Sequence, residues 1–113
     1  MIAILSAPLP PEAPAGAKAL CAEQDGACVG TVLYRSQGET LELLDARADT
    51  PALLDGLVRA ALQRGRTAGC AQAVCSAGSL VPALLAMGFA PAGTGARVAI
   101  EGFFGRGCHG ASV

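Results

Sequence analysis

The apolar positions of this chain fall into two regimes, strand-like throughout up to about residue 46 and alternating helical and strand-like from residue 50 onward. Met1 to Ser6 is a short apolar run that reads as a strand, ended by the proline-rich stretch Ala7 to Pro14. Lys18 to Glu23 forms the next strand. Asp25-Gly26 follows it, a dipeptide that tolerates positive φ at both centres of a tight hairpin turn. The returning strand, Ala27 to Arg35, is apolar on both sides and predicts cover on both faces. Ser36-Gln37-Gly38 marks a second turn, and Thr40 to Ala46 comes back, completing a three-strand antiparallel meander.

The period then lengthens. Thr50 is placed to cap a helix, Pro51 suits its first turn and Gly65 is placed to stop it. Leu54, Leu57, Val58, Ala61 and Leu62 make one apolar stripe, with Asp55 and Arg59 four residues apart on the other side. Ala71 to Ser76 is a short strand, and strand–helix–strand order favours parallel pairing. Ser79 opens a second helix, with Leu80, Leu84 and Met87 inward and Gly88 at its end. Phe89 to Gly93 and Ala96 to Ile100 pair as a closing hairpin. The tail from Glu101 to Val113 is expected to wrap the surface. The prediction is one mixed α/β (α+β) domain over residues 1–113, with its core at about 17–100.

Composition narrows the function. The 113 residues are 52% apolar and 15% charged, which excludes a disordered chain. Eight basic residues against nine acidic ones, without a basic block and with one Tyr and no Trp, leave nothing to track or stack on nucleic acid. The charge-free stretch between Arg66 and Arg97 is broken by glycines and prolines, so no membrane span is expected. Pro8, Pro10 and Pro11 arrive too early for a signal peptide, which predicts a cytoplasmic protein. Its five cysteines then read as reduced thiols. No close cysteine pairs stand at zinc-ligand spacing and His109 is the single histidine, so no metal site is expected.

The order of elements resembles that of GNAT-type N-acyltransferases, acyl-CoA-dependent enzymes. The resemblance is carried by Cys28-Val29-Gly30-Thr31-Val32-Leu33, Leu41-Glu42-Leu43-Leu44-Asp45-Ala46, Leu53 to Leu62 and Leu84-Leu85-Ala86-Met87-Gly88-Phe89, and it covers Ala17 to Ile100. The aromatic, Gly and Cys-containing tail Phe103-Phe104-Gly105-Arg106-Gly107-Cys108 is similar to that of a small subset of such bacterial proteins. The resemblance implies a mixed sheet in which the last meander strand and the parallel strand splay apart and grip the pantetheine arm of acetyl-CoA or another acyl-CoA. It assigns that role to Leu44, Asp45, Ala46 and Arg47 on one side and to Val74, Cys75 and Ser76 on the other. Thr50 and Ala52 at the helix start would meet the pyrophosphate. It also implies a small-molecule or peptide amine as acceptor. The two helices that normally follow the first strand are missing here, so the acceptor site would be open or completed by a partner subunit, as in a homodimer.

The same resemblance shows departures. The turn Ala46-Arg47-Ala48-Asp49-Thr50-Pro51 contains no glycine, Leu84 stands where a proton-donating tyrosine is usual, and Ala77 stands where an asparagine is. Glu42 or Asp45 is the candidate base that takes the amine's proton, and Tyr34 a candidate displaced acid. Each also has an ordinary reading: a solvent-face carboxylate, a turn cap, and a tyrosine packed with its hydroxyl at the rim. Cys75 is either a nucleophile or a core residue, and Cys108-His109 either a reactive pair or a loose tail. Three functions follow: an acyl-CoA-dependent N-acyltransferase, a GNAT-fold module that binds or oligomerises without catalysis, and a redox-sensitive thiol protein using Cys108.

Overall fold

Asp25 and Gly26 take φ of 55° and 82°, the double positive pair a two-residue hairpin turn requires. They join β2 (Ala17–Gln24) to β3 (Ala27–Gln37) in the computed structural model, which describes residues 2–104. β1 (Ile2–Ala7) precedes them, and β4 (Thr40–Ala48), α1 (Pro51–Thr67), β5 (Gln72–Cys75), α2 (Val81–Ala86), β6 (Ala90–Ala92) and β7 (Gly95–Ala99) follow. The strands form one mixed sheet in the order β1-β2-β3-β4-β5-β7-β6. β1 pairs antiparallel with β2, so the meander has four strands rather than three. β4 and β5 are parallel, as the crossover through α1 dictates. Residues 8–16 join β1 to β2 without a helix.

The core lies between α1 and one face of the sheet. Leu57, Val58, Ala61 and Leu62 are fully buried against Leu20, Val32, Leu41 and Leu43. Each large side chain buried there contributes about 1.5–3 kcal/mol. Close approach needs glycine at one sheet position: a Cβ on Gly30 would stand 2.8 Å from Cδ1 of Leu57 and 3.0 Å from Cβ of Ala48.

Several boundaries differ from the sequence expectation. Gly65 does not stop α1; it is buried inside it, its Cα facing Leu41. The helix ends at Thr67 and is closed by Gly69, φ 92°, where Gly69 N–H donates to Arg66 O at 3.1 Å and Cys70 N–H to Gly65 O at 2.8 Å. That double bond pattern is a Schellman cap. The same motif ends α2, with Gly88 N–H donating to Leu85 O and Phe89 N–H to Leu84 O. Ser79 does not cap α2, which has Leu80 at its N-cap and no side-chain capping bond. Ser36 and Gln37 stay in β3, and the turn falls on Gly38 and Glu39. The tail does not simply wrap the surface: residues 100–104 are helical, and Phe103 is buried edge-on to Phe89 with Arg59 over its ring. Cys108 and His109 lie outside the described residues.

Candidate functional site

The centre of the sheet holds a built-in divergence. β4 and β5 pair from Thr40↔Gln72 to Leu43↔Cys75, and there the pairing ends. β5 stops at Cys75 while β4 runs on to Ala48, held on its other side by β3. On the far side β7 holds β5 along its full length, and Gly95 lies against the Cys75 carbonyl so closely that a Cβ there would collide with it. The two halves of the sheet are thus each fixed to a different neighbour, and they part at Leu43 and Cys75.

A β-bulge sits at the same level. Tyr34 is opposite Leu43 and Leu33 is opposite Asp45, so Leu44 is the extra residue on β4. Past it, Asp49 N–H donates to Val29 O at 3.1 Å. Antiparallel strands alternate hydrogen-bonded and non-bonded pairs. Arg47 and Asp45 therefore direct their peptide groups to β3, and Ala46 and Ala48 direct theirs away from it. Among the described residues no strand faces those two peptides. They are a short open edge with N–H and C=O groups to offer.

Side chains alternate in step. Ala46 and Ala48 pack toward the core under α1, whereas Asp45 and Arg47 face the opposite side of the sheet. There they line a cavity of about 550 Å³ whose floor includes Thr31 and Leu33 and whose other wall is the Pro8–Pro14 segment. The nine-residue link after β1 thus forms a wall of this cavity. Asp45 and Arg47 make an exposed ion pair at 3.8 Å, worth little in stability.

The other sequence candidates are placed differently. Glu42 is half-buried and held by Arg35, whose Nη2 and Nε donate to the same carboxylate oxygen at 2.6 and 3.1 Å. Tyr34 is buried in the core on the α1 side, so the structure does not bring it together with Asp45. Val74 is half-buried; Cys75 is buried and Ser76 exposed just beyond it. Burial pushes the Cys75 thiol up, a backbone hydrogen bond at Ala77 acts the other way, and the charges of Glu42 and Asp45 raise it further. A thiol so placed stays protonated and is a poor nucleophile. At the helix start, Thr50 Oγ1 accepts from Leu53 N–H at 3.2 Å and Leu54 N–H donates to Thr50 O, while Pro51 has no N–H. Ala52 is left as the first-turn donor not engaged in these bonds.

Sequence reasoning missed Arg35, the bulge at Leu44 and the cavity wall. A turn at Gly38-Glu39 would have put Arg35 opposite Glu42 by simple counting from the hairpin. The bulge has no sequence signal of its own.

The fold recurs in solved structures. A GNAT family acetyltransferase from Elizabethkingia anophelis, determined with acetyl-CoA bound, is similar at a TM-score of 0.65 over 80% of this chain and 77% of that one, with 12% identity. The IAA acetyltransferase from Bacillus cereus gives 0.63 over 80% and 77% at 15% identity. A GNAT family acetyltransferase from Brucella melitensis in complex with acetyl-CoA gives 0.57 over 73% and 57% at 19% identity. No family model matches the chain, and no curated protein does. The fold is that of the GNAT acetyltransferases. None of the helices among the described residues is long and apolar enough to cross a membrane.

Proposed function

We propose that this chain is an acyl-CoA-dependent N-acyltransferase acting on an amine with an apolar body. The observation that carries the reading is the open edge of β4 at Ala46 and Ala48, where the sheet parts. An extended arm containing amides satisfies such an edge as an added strand would. Leu44 and the end of β5 at Val74, Cys75 and Ser76 flank it. Ala52 N–H and Arg47 are the groups that would meet the diphosphate, and Asp49 opposes it there. The chain therefore fits the arm better than the phosphates.

Acetyl-CoA would supply the acyl group as a thioester. Asp45, on the cavity wall, accepts the proton of the acceptor amine directly or through water, freeing the nitrogen lone pair for attack. Glu42, paired to Arg35, holds its strand position and is the weaker candidate base. Tyr34 lies on the wrong face to protonate the leaving thiolate, which takes its proton from solvent. Pro8, Leu9, Pro10 and Leu33 favour an apolar acceptor body, and Asp45 and Glu12 a cationic head.

A second reading, a GNAT-fold binding module without catalysis, is favoured by Leu84, buried in the core where the family often has its tyrosine. A thermal-shift titration separates the two, because a ligand of the native state raises the melting temperature by mass action. Saturable stabilisation by acetyl-CoA and by desulfo-CoA, with thiol release when amines are added, supports the enzyme. Stabilisation without thiol release across an amine panel supports the module. A flat curve defeats the donor site itself.

A further inference from the structure

Away from the divergence, the β2–β3 hairpin carries two cysteines that the proposed reaction does not use. A second bulge, between Ala22 and Glu23 in the pairing, leaves Val29 as the extra residue on β3. Cys28, opposite Glu23, is thereby drawn toward Cys21, and the two sulfurs stand 2.6 Å apart. A disulfide bond is about 2.05 Å long, so about 0.5 Å of closure would join them. The two thiols differ in access: Cys28 is exposed and Cys21 buried. Cys28 also borders a cavity of about 250 Å³ that it shares with Gly30, Thr31, Arg47 and Asp49.

We propose that Cys21 and Cys28 are a peroxide-oxidisable dithiol, with Cys28 the attacking thiol and Cys21 the resolving one. The Cys28 thiolate attacks the terminal oxygen of a hydroperoxide; the O–O bond breaks, the alcohol or water leaves with a proton, and Cys28 becomes a sulfenic acid. Cys21 sulfur then attacks Cys28 sulfur, the S–O bond breaks, and hydroxide leaves as water with the Cys21 proton. Two thiols and one hydroperoxide give one disulfide, one water and one alcohol (a second water when the oxidant is hydrogen peroxide).

The order of attack follows from the environment. The Cys21 thiol is pushed up to about 11, chiefly because it donates a hydrogen bond to Cys28, and next because it is buried. Cys21 keeps its proton until Cys28 has been oxidised. Resolution needs no rearrangement of the strands, because the sulfurs are already in contact. The closed disulfide ties the start of β3 to β2 beside the end of β4, where Arg47 and Asp49 lead into α1.

The test uses the unsubstituted full chain. It is reduced, exposed to a small excess of hydrogen peroxide, alkylated under denaturing conditions and cut by a protease specific for Glu. Cleavage after Glu23 separates the two cysteines, so a disulfide appears as two peptides joined between Cys21 and Cys28. The expected result is that linkage, reversed by dithiothreitol, with Cys70 and Cys75 still alkylated and a melting temperature raised by roughly 5 °C. In Cys21→Ser, Cys28 should instead pass to sulfinic acid, having lost its partner. Cys28 oxidised in the wild-type chain while Cys21 remains alkylatable, or Cys28 joined to a different cysteine, would overturn the proposal. Neither readout involves acyl-CoA, so the outcome is independent of the proposed transferase activity.

Discussion

The two ends of the proposed donor groove are built from different materials. Where the sheet parts, the ligand would meet peptide groups of Ala46 and Ala48, which every residue type except proline would leave in place. At the start of α1 it would meet groups that depend on residue identity: a turn without glycine, Pro51 without an N–H, and Thr50 already engaged by Leu53. The first end is kept by topology, the second only by particular residues. Substitutions can therefore change the second end without disturbing the first.

The contrast can be broken in order of expected effect. Asp45→Asn should lower turnover by roughly 10²–10⁴-fold while leaving the acetyl-CoA thermal shift intact, since a positioned base contributes about that much. Equal activity in the variant, measured by thiol release, would remove Asp45 from the mechanism. Ala46→Pro should weaken acetyl-CoA binding about tenfold by deleting an open-edge N–H, at little cost to an edge that bonds no strand. Undiminished affinity in calorimetry would mean that the ligand does not use this edge.

Thr50→Ala should cost about 1 kcal/mol of stability in urea unfolding through loss of the cap. It should not weaken donor binding, because the Leu53 N–H it frees becomes available. Weaker binding in that variant would show that Thr50 touches the donor. Smallest of all, acetyl-pantetheine and acetyl-CoA should differ in affinity by less than about threefold, measured side by side at fixed ionic strength. A preference of thirtyfold or more for acetyl-CoA would show that the helix end grips the diphosphate after all.

What could be read in the sequence follows the same division between local and non-local causes. The element order, the parallel β4–β5 pair and the start of α1 come from short-range signals: Asp25-Gly26, Thr50-Pro51 and the stripe from Leu54 to Leu62. Gly65 and Gly69 could not be told apart, because glycine serves both close packing and positive φ, and only the fold shows which is which. Ser79 is a good capping residue, but the N-cap of α2 falls one residue later, on Leu80. Phe103 was assigned to a tail because its partners, Phe89 and Arg59, come from distant segments. At the site, the parting of β4 and β5 was expected from the family resemblance with edges at Leu44–Arg47 and Val74–Ser76; on β5 the pairing instead still includes Val74 and Cys75. The Arg35–Glu42 pair and the Cys21–Cys28 contact were not legible, since each depends on a turn register or a bulge.

Beyond the bulge, odd and even residues of β4 hold separate offices. Asp45 and Arg47 commit their amides to β3 and turn their side chains to the cavity; Ala46 and Ala48 do the reverse. Side-chain changes at residues 45 and 47 therefore alter the cavity while leaving the open peptide edge of the strand in place. The alanines between them are constrained by the room beneath Leu57, so the strand is evolvable on one side and conservative on the other.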